Sequence, residues 1–445
     1  MLAIAVDRRT RILGLALPII GGMVSQNVLN LVDMAMVRHL GDAALAGVGL
    51  GGFANFMATA FIMGMAAGVQ AMAARRRGEG RSDEAAVPLN GGLAMALAIG
   101  LPLSIGLAIA APWIFPLLTD EPEVARLGCD YFQVRLLGMA AVGMNYAFRG
   151  YWNAVDQSRL YLRTLIAMHS VNIVLGFVLI YGHLGVPELG VFGAGLATTL
   201  ATWVGTGIYF QMGRKYAKAN GFLRALPSRE ALRTMLRLAV PAGLQQFFFA
   251  AGMTAFFVLV GMVGTRELAA SNVLVNLLMV AILPGLGFGL AAATLVGQAL
   301  GQGPDGRAAA RRWGLDVIKL AVVVMAALSL PALVAPEWVL TPFVKSQETR
   351  ELAAPVLRLM ALLLPLDAIG MVLLNALLGA GDSRSVMVVS VVTQWLVQLP
   401  LVWLVGPGLG AGLFVIWLVW LVGRVGQSVV FFRVWQGERW GHARV

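Results

Sequence analysis

Three polar side chains lie on one face of an otherwise apolar helix near the start of the chain. The stretch from Leu15 to Gly41 is apolar enough to cross a bilayer, yet it contains Gln26, Asn30 and Asp33. Their i, i+4, i+7 spacing places them on one helical face. An ionised carboxylate at membrane depth costs at least a few kcal/mol unless it is paired or protonated. Asp33 is therefore the leading candidate for binding a proton or a cation.

Asp33 also has a structural alternative, as a buried carboxylate hydrogen-bonded to a neighbouring helix. Further polar side chains within apolar stretches of the first half are candidates for the same site: Asn145, Asn172 and Thr198. The second half offers candidates for a second site that binds a substrate or an ion: Asp367, Gln245, Asn272 and Asn276. Residues of these types also hydrogen-bond one membrane helix to another, so each has a structural alternative as well.

The composition indicates a membrane protein with many spanning helices. Of its 445 residues, 59% are hydrophobic and 12% are charged, whereas soluble domains carry about 25% charged residues. The net charge of +11 comes from basic residues in short loops, which is typical of membrane topology and not of nucleic-acid binding. The single cysteine, Cys129, excludes an intramolecular disulfide. The first apolar run is long enough to be a spanning helix and not a cleaved signal.

Hydropathy predicts an all-α membrane protein with twelve transmembrane helices. A spanning helix needs roughly 20 apolar residues, and the predicted spans are residues 13–37, 46–74, 88–117, 130–151, 161–182, 191–213, 238–263, 271–299, 314–340, 352–379, 386–405 and 409–434. Of the 33 Lys and Arg residues, 25 fall on one side of the membrane when the segments are counted alternately. The positive-inside rule makes that side the cytoplasm and places both termini there. We expect a multi-pass monomer of the cytoplasmic (inner) membrane.

The two halves of the chain resemble each other. Pro18 recurs as Pro241, Gly41 as Gly264 and Gly64 as Gly287, always at the same offset. Residues 1–213 and 238–445 are therefore predicted to be two pseudo-symmetric six-helix bundles in a parallel repeat, joined by a basic cytoplasmic linker at 214–237. The paired prolines Pro18 and Pro241 predict a shared hinge in the first helix of each bundle. At the same offset, Asp33 aligns with Phe256, so the acid is not duplicated.

Motifs for other functions are absent from the sequence. It has no GxxxxGK[ST] phosphate-binding loop, no GxSxG nucleophile elbow and no TVGYG filter. The four histidines show no metal-ligand spacing, and no DDxxD-type carboxylate pair is present. We therefore expect a protein that is not an enzyme and that has neither a cofactor nor a metal centre.

Six short stretches, spread over the chain, form a recognisable set: Ala16-Leu17-Pro18, Asn30-Leu31-Val32-Asp33, Phe148-Arg149-Gly150, Asn172-Ile173-Val174-Leu175, Pro241-Ala242-Gly243-Leu244-Gln245 and Gly379-Ala380-Gly381-Asp382. In their order and spacing they resemble the multidrug and toxic compound extrusion (MATE) transporters, with details nearest the DinF-like branch. The resemblance covers the whole chain and implies two six-helix lobes that enclose a V-shaped central cavity. It also implies that the protein is an antiporter, which exports organic cations and other xenobiotics while H⁺ or Na⁺ flows inward.

The resemblance also implies roles for particular residues. Asp33 matches the first-helix aspartate that the family uses for coupling, Asn172 matches an asparagine of the same site, and Asp367 matches an aspartate of the other lobe. Two positions depart from the family pattern, since Gly176 and Phe249 stand where many relatives have an acid. A Na⁺ site generally has several hard oxygen ligands, whereas proton coupling needs only one exchangeable carboxylate. The sequence therefore favours H⁺ over Na⁺.

Two alternatives stay open at this point. Na⁺ coupling is the first, and it would differ from proton coupling in which gradient drives transport. The second is a flippase or exporter of lipid-linked or amphipathic metabolites, which usually needs several basic residues to bind phosphates. Within or near the spans the chain offers four such residues: Arg135, Arg149, Arg358 and Arg424.

Overall fold

The computed structural model describes residues 4–303, 306–437 and 439–442, and within these ranges the secondary structure is helical with no strand. The α-helices, in chain order, are α1 Val6–Arg38, α2 Asp42–Gly78, α3 Val87–Ile114, α4 Pro122–Leu136, α5 Met139–Ala154, α6 Ser158–Tyr181, α7 Gly190–Met212, α8 Arg229–Val263, α9 Thr265–Ala281, α10 Leu283–Leu300, α11 Gly306–Val334, α12 Pro336–Leu340, α13 Gln347–Ala380, α14 Ser383–Val391, α15 Leu399–Trp403 and α16 Leu413–Gln436. Three short π-helical segments are Gly213–Ala217, Val392–Gln398 and Leu404–Gly408.

Eleven helical segments among the described residues are long and apolar enough to cross a membrane. The fourth predicted span, 130–151, is not one continuous helix, and that prediction is wrong in detail. It is divided between α4 and α5, which are separated at Leu137 and Gly138. The helix α4 also begins earlier than predicted, with Pro122 in its first turn, a position where the missing proline N–H costs nothing. At 15 residues, α4 is by itself too short to cross a membrane.

Other boundaries also differ from the prediction. The predicted span 271–299 is made of α9 and α10, which meet at Ile282 just before Pro284. Within the predicted span 314–340, the long helix α11 ends at Val334, and residues Pro336–Leu340 form the short helix α12. The helix α8 begins at Arg229, inside the predicted linker 214–237. Prolines and charged helix ends account for these differences, because hydropathy detects neither a helix break nor a polar first turn.

The chain packs into two compact units. The amino unit is Gly21–Gly243, and the carboxyl unit is Met1–Ile20 together with Leu244–Val445. Both boundaries fall inside a helix, just after Pro18 in α1 and just after Pro241 in α8. These units are defined by packing, whereas the lobes 1–213 and 238–445 are defined by sequence similarity, so the two-lobe division stays a prediction.

Two glycines related by the repeat offset permit close helix packing. In the amino unit, a methyl group on Gly64 of α2 would overlap the backbone of Ala239 and Gly243 on α8. In the carboxyl unit, a methyl group on Gly287 of α10 would overlap the side chain of Ile20 on α1. The proline-containing helix α8 thus packs closely against Gly64 of α2, and the proline-containing helix α1 packs closely against Gly287 of α10.

The first turns of α1 are fixed within the carboxyl unit by a basic side chain. Arg8 Nε donates to Asp316 Oδ2 on α11 at 2.7 Å, and the guanidinium lies 3.7 Å from the ring centroid of Trp313. Asp316 also lies 3.7 Å from Lys319 Nζ. These contacts hold the helix before Pro18, while the polar face with Asp33 lies after it.

Candidate functional site

The aspartate of α1 is held by an asparagine of α6. Asn172 Nδ2 donates a hydrogen bond to Asp33 Oδ1 at 2.8 Å. Asn172 is only 2% exposed, whereas Asp33 is partly exposed. The amide oxygen of Asn172 is buried and has no hydrogen-bond partner among the residues that the structure describes. One amide therefore offers a donor to an ionised carboxylate and a free acceptor to a protonated one.

A histidine that the sequence reasoning missed extends this polar face. His169 lies one helical turn before Asn172 on α6 and is 5% exposed. Its Nδ1 lies 2.7 Å from Ser25 Oγ and its Nε2 lies 3.2 Å from Gln26 Oε1. Gln26 Nε2 in turn donates to Asn30 Oδ1 at 3.2 Å. The i, i+3 spacing of His169 and Asn172 is the signal that could have predicted the shared face.

Two side chains of α4 lie beside Asp33. Arg135 lies within electrostatic range of Asp33, and Tyr131 lies within range of both. Tyr131 packs against a hydrophobic cluster that contains Val37, one turn beyond Asp33 on α1. Arg135 Nε is buried without a hydrogen-bond partner in the described part of the chain. The sequence identified Arg135 only as one basic residue among several near the membrane.

Other predicted members of this site have partners elsewhere. Asn145 Nδ2 donates to the carbonyl oxygen of Thr202 at 3.2 Å, and Asn145 Oδ1 accepts from Thr206 Oγ1 at 2.9 Å. Thr198 Oγ1 donates to the carbonyl oxygen of Ala194 at 3.0 Å. Asn145 therefore joins α5 to α7, and Thr198 bonds within its own helix. Neither contact includes Asp33.

In the carboxyl unit, the candidate acid already has a cationic partner. Asp367 Oδ2 on α13 accepts from Arg424 Nη2 on α16 at 2.7 Å and from Arg424 Nε at 3.1 Å. Both side chains are largely buried. Gln245 on α8 is buried too, whereas Asn272 and Asn276 lie exposed on α9. The sequence named Asp367 and Arg424 separately and did not predict their pairing.

The position that aligns with Asp33 in the second half belongs to an aromatic core. Phe256 is 0% exposed. Its ring centroid lies 5.3 Å from that of Trp417 and 4.6 Å from that of Trp420. The two units therefore share a helical plan, while only the amino unit has an acid at this position.

The fold defines a multi-pass helical membrane protein, and comparisons with known proteins identify its family. The family model described as MatE matches the chain twice, at residues 18–178 and 241–404. The chain therefore belongs to the MATE family. The two matches begin at Pro18 and Pro241, the same pair that marks the internal repeat.

Curated relatives match over nearly the whole chain. A "Probable multidrug resistance protein NorM" of Bradyrhizobium diazoefficiens is 28% identical over 440 residues, which cover 96% of this chain and 94% of the relative. One of the same name from Synechococcus sp. is 29% identical and covers 91% of this chain and 89% of the relative. The predicted family is confirmed, and so is the prediction that the chain is a transporter and not an enzyme.

Solved structures share the fold. An outward-facing multidrug resistance MATE family transporter of the MOP superfamily superposes with a TM-score of 0.88 at 23% identity, over 97% of this chain and 96% of that one. MATE structures described as straight and as bent each give a TM-score of 0.87 at 24% identity, and each covers 97% of this chain. The predicted all-helical, twelve-helix fold is confirmed. The relation to the DinF-like branch stays a prediction.

Proposed function

We propose that this transporter is an antiporter that exports organic cations in exchange for protons. The observation that carries the proposal is the hydrogen bond from Asn172 to Asp33, together with the free acceptor on the same amide. A carboxyl group held in this way has a partner in each protonation state. The carboxyl group therefore keeps a hydrogen-bond partner whether or not it carries a proton, and a buried polar group that lacks one costs about 1–3 kcal/mol.

Proton and substrate compete for one charge in this mechanism. Ionised Asp33 attracts a cationic substrate, and protonation of Asp33 removes that attraction. Protonation also neutralises the segment of α1 beyond Pro18, and we propose that this segment then bends or repacks. A carboxylate that alternates between these two states would couple the inward proton to the outward cation.

Several features favour a proton over Na⁺ as the coupling ion. Gly176 lies on α6 one turn beyond Asn172, where an acid would have added oxygen ligands near Asp33. In the carboxyl unit Phe249 replaces a second acid, and Asp367 is already paired with Arg424. A single carboxylate with one amide is a sparse ligand set for a metal cation, and it is sufficient for a proton.

The ion pair between Asp367 and Arg424 also argues against the flippase alternative. A cavity that binds lipid phosphates needs basic side chains with free donors. Arg424 directs two of its N–H groups to Asp367, so this arginine is not free to bind a phosphate. We therefore propose an organic cation as the substrate. We also propose that both termini lie on the cytoplasmic side of the inner membrane and that the monomer is active.

The coupling ion is tested with purified protein in vesicles. A cationic dye is loaded, and a proton gradient or a Na⁺ gradient is imposed separately, with the membrane potential clamped in both cases. Proton-driven extrusion without a response to Na⁺ is the expected result. Extrusion driven by the Na⁺ gradient alone would replace H⁺ with Na⁺ in the proposal, and extrusion of fluorescent lipids but not of the dye would favour the flippase.

A further inference from the structure

We propose that Arg135 weakens the binding of a cationic substrate at Asp33 and thereby sets how completely the cation is released after protonation. The inference rests on the proposed role of Asp33 as the proton-exchanging group. Arg135 lies in the last turn of α4, and its proposed function in cation release is additional to the hydrogen bonds that hold Asp33.

The helical register places Arg135 at the level of Asp33. Successive spans alternate in direction, so α1 and α4 run antiparallel. Tyr131 of α4 packs against the hydrophobic cluster that contains Val37 of α1. One turn back along α1 from Val37 lies Asp33, and one turn forward along α4 from Tyr131 lies Arg135. This register places Asp33 and Arg135 at the same level of the two helices, within electrostatic range of each other.

The guanidinium is not committed to another partner of opposite charge. Arg135 forms no ion pair within 4.0 Å among the described residues, and its Nε is a buried donor without an acceptor. By contrast, Arg126 on the same helix pairs with Glu123 at 2.8 Å and Asp130 at 3.2 Å in an exposed position. Arg135 therefore leaves a positive charge in the site that no neighbouring carboxylate other than Asp33 offsets.

The other elements around Asp33 contribute no competing charge. From α6 the facing groups are Asn172 and, one turn away, His169, which is bonded to Ser25 and Gln26. From α4 they are Tyr131 and Arg135. On α2, residues 43–74 include no charged side chain. The charge of the site is consequently set by Asp33 and Arg135.

Together, Asp33 and Arg135 change the net charge of the site from zero to positive when a proton binds. With Asp33 ionised, the two charges cancel and a bound cation still contacts a carboxylate. With Asp33 protonated, the site carries the charge of Arg135 alone and repels the cation. For a bound cation about 8–10 Å from the charge of Arg135, repulsion at an effective dielectric constant of about 20 weakens binding by roughly tenfold or more. A repulsion of this size promotes release.

The test measures ethidium binding to the purified full-length transporter at pH 8 and pH 6. Arg135→Gln and Arg135→Met are expected to bind ethidium roughly tenfold more tightly at pH 6, because the repulsion is removed. Their proton-driven turnover is expected to fall, since the cation is retained after protonation. Arg135→Lys keeps the charge and is expected to match the wild type, as is the control Arg126→Gln.

The outcomes separate this inference from the proposed function. Equal or weaker ethidium binding at pH 6 in both neutral variants would overturn the role of Arg135, because a merely structural residue would not tighten binding when it is removed. If Asp33→Asn loses ethidium binding at pH 8 while the Arg135 variants match the wild type, only the present inference fails. If Asp33→Asn binds ethidium like the wild type, the proposed function itself fails.

Discussion

Vesicles that contain the Asp33→Asn protein are expected to extrude a cationic dye no faster than empty vesicles under a proton gradient. Asparagine is nearly the same size and can still bond to Asn172, so the fold is retained. It carries no charge and takes up no proton, so both the attraction for the cation and the exchange are lost. The measurement is the initial rate of dye extrusion after a pH jump.

The matched control for this variant is Asp42→Asn, which removes an exposed carboxylate from the first turn of α2. It is expected to transport at the wild-type rate. Full activity of Asp33→Asn, in protein that elutes and melts like the wild type, would contradict the role of Asp33. Loss of activity in both variants would point to a general effect of surface charge.

The second large effect is expected at the ion pair between Asp367 and Arg424. Removing either partner alone, as Asp367→Asn or Arg424→Gln, leaves the other charge buried without compensation. The expected cost is about 3 kcal/mol of stability, which lowers the apparent melting temperature in detergent. The double variant removes both charges, and we expect it to recover most of this loss.

An exposed ion pair in the same unit supplies the comparison. Arg266 and Glu348 lie 3.3 Å apart with side chains 77% and 72% exposed, and exposed pairs contribute little to stability. Arg266→Gln should therefore leave the melting temperature unchanged. If Asp367→Asn and Arg424→Gln were as mild as Arg266→Gln, the buried pair would have no structural role, and Asp367 would again be a candidate for ion exchange.

The helical plan could be predicted because hydropathy reports directly on burial in a membrane. The fourth span shows where this signal ends. Residues 130–151 are apolar enough to be predicted as one span, but no apolar count reveals the break at Leu137 and Gly138. Similarly, the apolar run 271–299 contains a break at Ile282 that only Pro284 indicates. The local backbone conformation, and not the composition, determines where these helices break.

The candidate site was predictable in part for a similar reason. Periodicity along α1 placed Gln26, Asn30 and Asp33 on one face, and the family resemblance added Asn172. The i, i+3 spacing from Asn172 could have indicated His169 as well. Periodicity could not reveal Arg135, because its contribution depends on the register between separate helices. The pairing of Asp367 with Arg424 was missed for the same reason, since the two residues are far apart in sequence and meet only through the packing of α13 on α16.

Proton release on substrate binding tests the central claim most directly. Ethidium is added to purified transporter in weakly buffered solution near neutral pH, and the protons released are counted with a pH indicator. If cation and proton compete for Asp33, binding of each dye displaces up to about one proton from the wild type and none from Asp33→Asn. Dye binding to the wild type without proton release at any pH between 5 and 8, or equal release from Asp33→Asn, would contradict the mechanism.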